Sequence, residues 1–211
     1  QMATFRVTSH SSRSLRQKSL GLFARKAFGS NTFDYAFFDN RPYTQYSSLL
    51  LRSTNSDHRS CRMRDAVLGE ISEGLGLYYQ AAQPIVVYLN GEYFGHYNLR
   101  ERVSEYFVAQ HEGLSMDQAK SIDVLESNGT KSSQINNGTN AEWKALITKV
   151  KTLSPGKNPE DLQYILDNID VDNYFDYVIL ECLFANTDTG NIRFYKVPGG
   201  KWKWIMYDMD Y

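Results

Sequence analysis

Ile85-Val86-Val87-Tyr88-Leu89-Asn90-Gly91-Glu92-Tyr93-Phe94-Gly95-His96-Tyr97-Asn98-Leu99 decides the fold. Two β-rich runs flank Asn90-Gly91, and that dipeptide tolerates the positive φ that a tight hairpin turn requires. Upstream, Phe33 to Phe38 and Leu49 to Arg52 read as further short strands. A helix is expected over Met63 to Leu75, where Met63, Val67, Ile71 and Leu75 recur four residues apart. Another is expected over Glu101 to His111. Downstream, Ser127 to Asn140 is polar, contains Asn-Gly twice and reads as an exposed loop. Thr139 and Glu142 have capping-box spacing, and Trp143, Leu146, Ile147, Val150 and Leu153 line one helical face after them. Asn158-Pro159-Glu160-Asp161 opens the next helix with a cap, a first-turn proline and acids at its positive end. A third helix, about Asp172 to Ala185, is apolar on most sides and is expected to be central. Ile192 to Val197, Pro198-Gly199-Gly200 and Lys201 to Tyr207 form a closing hairpin. Strands, then helices, then a hairpin predict an α+β fold, sheet-rich over 1–126 and helical over 127–211.

The 211 residues carry a formal net charge of -1 and are 42% hydrophobic, which excludes collagen-like and disordered classes. No apolar run approaches the ~20 residues of a membrane helix, so no membrane insertion is expected. The balanced charge argues against a general nucleic-acid binder. Cys61 and Cys182 are too far apart in sequence for metal-ligand spacing or a disulfide framework. No leader is visible at Gln1-Met2, and both ends read as boundaries within something longer. Residues 1–29 hold Arg6, Arg13, Arg16, Lys18, Arg25 and Lys26 and no acid. That stretch fits contact with an anion or a solvated strand face, and the sequence leaves both open.

Two polar clusters carry the chemistry. Asn186-Thr187-Asp188-Thr189-Gly190-Asn191 follows the third helix, and Tyr207-Asp208-Met209-Asp210 follows the last strand. Pairing of the hairpin arms would set Ile192 near Tyr207 and bring Asn191 to Asp208. An amide oxygen with one or two carboxylates is a hard ligand set for Mg²⁺ or Mn²⁺. Asp188 is then placed to orient or deprotonate a hydroxyl. A base, an Asn ligand, a hairpin and a metal-holding Asp is the order found in protein kinases. Taken singly, either cluster also reads as an ordinary turn.

Several segments together resemble the CotH kinase family. They are Ser11-Ser12-Arg13-Ser14 with Gln17-Lys18-Ser19; Leu51-Arg52 with Asp57 and Arg64-Asp65; and Tyr88-Leu89-Asn90-Gly91-Glu92-Tyr93, Gly95 and Tyr97 to Glu101. Asn186-Thr187-Asp188 with Asn191, and Trp204-Ile205 with Tyr207-Asp208 and Asp210, complete the series. The resemblance implies an atypical, secreted bacterial kinase with a kinase-like fold. Such an enzyme moves the ATP γ-phosphoryl group to Ser or Thr of extracellular or spore-coat proteins with Mg²⁺ or Mn²⁺. It implies Lys18 at the nucleotide phosphates, Arg13 and the serines Ser11, Ser12 and Ser14 in the phosphate loop, and Glu101 paired to Lys18. It makes Asp188 the base, and Asn191 and Asp208 the metal ligands, with Asp210 as the alternative to Asp208. Two residues separate Asp188 from Asn191, against four in ordinary kinases. Family members continue past residue 211, so a missing C-terminal helical portion is expected. A kinase-like shell that docks partners without turnover is the second reading, and a metal-dependent hydrolase using Asp188, Asp208 and Asp210 is the third.

Overall fold

The computed structural model describes residues 2–8, 13, 16–53, 57, 60–127, 134–188 and 190–210. The chain begins with β1 (Thr4–Val7), β2 (Leu20–Phe23), β3 (Phe33–Asp34), β4 (Gln45–Tyr46), β5 (Ser48–Arg52) and helix α1 (Arg64–Ser72). It continues through β6 (Tyr78–Tyr79), β7 (Ala82–Leu89), β8 (Glu92–Glu101), α2 (Glu105–His111), β9 (Asp123–Ser127) and β10 (Gln134–Asn137). Helices α3 (Ala141–Val150), α4 (Pro159–Asn168) and α5 (Val171–Leu183) precede the closing hairpin, β11 (Ile192–Lys196) and β12 (Lys203–Met206).

Two five-stranded sheets organise this mixed α/β fold. The first is antiparallel, in the order β1-β2-β5-β8-β7, and the second runs β10-β9-β11-β12-β6. The Asn90-Gly91 turn forms as the sequence predicts, with φ of 52° and 83°. On one face of the first sheet, Leu20, Leu49, Leu51, Tyr97 and Leu99 pack against Phe33, Phe38 and Tyr46. In the register Phe23↔Ser48, Leu50↔Arg100 and Arg52↔Asn98, the opposite face carries Phe23, Ser48, Leu50, Arg52, Asn98 and Arg100. That second face looks toward α1 and the candidate site.

The second sheet is covered on both sides. Leu125, Phe194, Trp202, Trp204 and Met206 pack against Leu146 of α3 and Tyr177 and Leu180 of α5. Val124, Tyr195 and Ile205 pack against Phe107 and Val108 of α2. The second half of the chain is therefore not simply helical. It shares a sheet with the first half, which supplies β9 and also β6, the latter parallel to β12.

Several local expectations change. The helix over Met63 to Leu75 is α1 plus a 3-10 turn at Glu73–Leu75, and Met63, Val67, Ile71 and Leu75 are all exposed. The buried side of α1 is Asp65, Gly69 and Ser72. Gly69 lets Tyr79 come close, since a Cβ there would sit 2.9 Å from Tyr79 Cδ2. Helix α5 buries only Tyr177 and Leu180, leaving Phe175, Ile179 and Leu183 exposed, so it is not central. Residues 134–137 of the expected loop form β10. Asn140, not Thr139, is the residue before α3 and its own side chain makes no cap bond, but Thr139 Oγ1 accepts from the Ala141 N–H at 3.3 Å. Glu101 ends β8 rather than opening a helix, and Ser104 caps α2 instead. Asn158 caps α4 as expected, accepting from the Glu160 N–H at 3.2 Å. Both cysteines are free and exposed.

Candidate functional site

The β11–β12 hairpin aligns Arg193 with Ile205 and Phe194 with Trp204. Carried two residues further, this register opposes Asn191 to Tyr207, one position from the sequence expectation. The polar clusters at the two open ends therefore meet. Asn191 Nδ2 donates to Asp188 Oδ2 at 2.8 Å and to Asp208 Oδ2 at 2.7 Å. Asp188 Oδ1 accepts from the Gly190 N–H at 2.9 Å, and Asn186 Oδ1 accepts from the Asp188 N–H at 3.2 Å, so the loop fixes both side chains. Asn186 is held in turn by its Nδ2 donating to Glu181 of α5 at 2.7 Å. Asp208 itself sits at φ 60°, a left-handed conformation uncommon outside glycine that Asp and Asn adopt more readily than most residues.

Three further residues complete the site. Arg52, at the end of β5, pairs with Asp208 Oδ1, and its Nη2 donates to Asp210 Oδ1 at 2.9 Å. Its Nε lies 3.9 Å from Asp65 Oδ2 on α1. Asp65 also pairs with Arg100 of β8, and its Oδ1 accepts from the Met209 N–H at 2.8 Å. One buried carboxylate thus ties α1, two strands of the first sheet and the 207–210 segment together. Burial alone would raise the Asp65 pKa, but the charges of Arg100 and Arg52 and the Met209 N–H outweigh it and hold it down to about 2. Burial, joined by the charges of Asp65 and Asp208, moves the Asp210 pKa upward against the pull of Arg52.

The other residues expected at the phosphates are Ser12, Arg13, Lys18 and Glu101. Ser12, with Ser11, Ser14 and His10, falls outside the described residues. Lys18 Nζ donates to the Arg13 carbonyl at 2.7 Å, and the Lys18 carbonyl accepts from Tyr97 OH at 2.9 Å. Glu101 does not pair with Lys18. Its Oε2 accepts from Arg41 Nε and the Ala81 N–H, both at 2.9 Å, and its Oε1 accepts from Tyr43 OH at 2.5 Å. The register explains this. Lys18 stands beside Tyr97, and Glu101 is four residues further along β8, roughly 13 Å at strand rise.

The sequence assigned no role to Arg52, Asp65 or Arg100. Arg52 ends an apolar strand and Asp65 opens a helix, places where a charge usually meets solvent or a helix dipole. The signal lay in the strand alternation, which puts Arg52 and Arg100 on the same face as each other.

The donor types are those a divalent cation takes. Asp188 and Asp208 carry carboxylate oxygens, Asn191 turns its Nδ2 to both and would have to swing its amide oxygen inward to ligate, and Asp210 Oδ2 is buried without a hydrogen-bond partner among the described residues. No group of three or more His, Cys, Asp or Glu side chains that could hold a metal occurs among the described residues. One carboxylate and one amide suit Mg²⁺, which commonly completes its shell with water and substrate phosphates.

The family model described as CotH kinase protein matches residues 5–211. The chain belongs to that family. No match was found among curated proteins. As a CotH kinase family member it is expected to show kinase-like function. No helix among the described residues is long and apolar enough to cross a membrane.

Proposed function

We propose that this chain transfers the γ-phosphoryl group of ATP to a Ser or Thr hydroxyl of secreted or spore-coat proteins of a bacterium. The observation that carries the reading is the row in which Asn191 joins Asp188 to Asp208 at 2.8 and 2.7 Å. Asp188 accepts the proton of the acceptor hydroxyl as its oxygen attacks the γ-phosphorus. The bond to the β–γ bridging oxygen breaks, and ADP leaves with that electron pair. Asn191, through its amide oxygen, and Asp208 would hold Mg²⁺ or Mn²⁺, with Asp210 Oδ2 as the reserve ligand. When bound, that ion supplies Lewis-acid neutralisation of the phosphate oxygens. Arg52, fixed by Asp65, presents a second positive charge beside Asp208, and Lys18 and Arg13 offer further charge near the start of β2. The residues contribute chiefly placement and charge.

Asp188→Asn and Asp208→Asn should each lower transfer from labelled ATP to a Ser-rich acceptor by about a hundredfold or more, with unfolding midpoints kept. Wild-type transfer in both variants would end this reading.

A specific contact favours a second reading, a kinase-like module that binds without turnover. Arg52 already neutralises Asp208 and Asp210, the two acids meant for the metal. A thermal-shift titration with ATP and Mn²⁺, paired with the transfer assay, separates the two. Stabilisation without transfer supports the module.

A further inference from the structure

The basic residues of the opening stretch separate in the fold. Arg13 and Lys18 lie together, whereas Arg6 and Arg25 turn to another place. There they meet Arg102, which follows β8. The three guanidinium carbons stand 4.6, 5.3 and 5.4 Å from the centroid of the Phe23 ring. Among the described residues, none of these three side chains makes an ion pair or a hydrogen bond.

They line a cavity of about 730 Å³ that does not include Asp188, Asn191 or Asp208. Lys26 and Lys120 add positive charge to its wall, against Glu105 and Asp117. Asp117 is already paired with Lys120 at 2.9 Å. The wall therefore keeps a clear positive excess, concentrated around one aromatic ring. Like charges do not gather without cost, and each guanidinium–ring contact at an exposed place returns little. Arg102 is also partly desolvated. Burial lowers its pKa, as do the charges of Arg193 and Arg6, against the opposing pull of Glu105. An anion in the cavity would offset all three effects. Guanidinium forks match phosphate oxygens in geometry as well as charge.

The position is informative. Phe23 pairs with Ser48, and Ser48 shares its sheet face with Arg52, four residues along β5. At strand rise that separation is roughly 13 Å, the span of about four extended peptide residues. The same face thus carries one cationic centre beside Asp208 and a second at the other end of the sheet.

We propose that Arg6, Arg25 and Arg102 form a binding site for a phosphate-ester anion, separate from the Asp188–Asn191–Asp208 row. The anion can come from an already phosphorylated residue of an acceptor segment or from the phosphate chain of a nucleotide. In the first case the site selects acceptors that carry a phosphate about four positions from the reacting hydroxyl.

The test is calorimetric titration of the whole chain at low salt, which reads binding without turnover. A failure of phosphoryl transfer therefore leaves it intact. The probes are a Ser-rich peptide with one phosphoserine, its unphosphorylated twin, metal-free ATP and inorganic phosphate. The phosphopeptide should bind, and its twin should bind at least about tenfold more weakly. The double variant R6Q/R25Q should lose about tenfold or more of that affinity, while Asp208→Asn keeps it. Arg6 and Arg25 are exposed, so the variant should keep the wild-type unfolding midpoint; the single variant Arg25→Gln is the fallback. If ATP binds, loses affinity in R6Q/R25Q and the phosphopeptide does not bind, the site stands with the nucleotide as its source. If wild type binds no phosphate-bearing probe, or R6Q/R25Q binds them as wild type does, the proposal is overturned.

Discussion

Replacing Asp65 by Asn removes one negative charge from the place where two cations depend on it. The side chain is 4% exposed, Arg100 is 1% exposed and Arg52 12%. Asparagine has nearly the same volume and can still accept the Met209 N–H, so packing and that hydrogen bond survive. What is lost is the charge opposite Arg100 and, in part, opposite Arg52. Breaking a buried ion pair by removing one partner costs about 3–5 kcal/mol, because the other charge stays buried without compensation. A separate route gives a comparable size. Asp65 has its pKa held at about 2 against an ordinary 3.8, worth on the order of 2–3 kcal/mol at neutral pH. The sign is that of a depressed acid: this stability is full above pH 3.8 and is lost as pH falls through 2. For a domain of this size, 3–5 kcal/mol lowers the midpoint by roughly 6–20 °C. Urea unfolding followed by tryptophan fluorescence measures it, and Trp202 and Trp204 are both buried reporters. The double variant D65N/R100M should recover part of the loss, because it removes the stranded cation. If D65N unfolds within about 0.5 kcal/mol of wild type, Asp65 is not the tie between the first sheet and the 207–210 segment.

Gly69→Ala should destabilise by about 1–3 kcal/mol in the same assay, since the new Cβ meets the Tyr79 ring. Leu125→Ala, at a fully buried position between α3, α5 and the second sheet, should cost about 2–5 kcal/mol, whereas Ile179→Ser on the exposed side of α5 should stay within about 0.5 kcal/mol. His111 is half-buried near Arg41, and burial, then that charge, lowers its pKa to about 4. Its contribution, up to about 3 kcal/mol, is therefore full above pH 6.5 and declines as pH falls toward 4. Comparing urea midpoints of wild type and H111Q at pH 7.5 and pH 5 should show the smaller pH change in H111Q.

Where local chemistry leaves one option, the sequence alone was sufficient. Asn90-Gly91 had to turn tightly, Asn158-Pro159 had to start a helix, and Pro198-Gly199-Gly200 had to close a hairpin. The last of these already implied that Asn191 and Asp208 meet, because two paired strands cannot keep their open ends apart. Spacing alone misled where the neighbour decided the outcome. Met63, Val67, Ile71 and Leu75 have a helical period, yet α1 turns that face outward. Its other side holds Asp65 for Arg52 and Arg100 and keeps Gly69 small for Tyr79. The apolar look of α5 did not say that only Tyr177 and Leu180 would find partners. The family resemblance paired Glu101 with Lys18, but the strand register set them apart and delivered Arg41 instead. Only tertiary structure could bring Arg52, Asp65, Arg100 and Asp208 together, or Arg6, Arg25 and Arg102 around Phe23. Such contacts span up to 156 residues and depend on which sheet face each strand presents. Periodicity constrains which residues share a face within one element; which element then covers that face is settled by the packing of the whole chain.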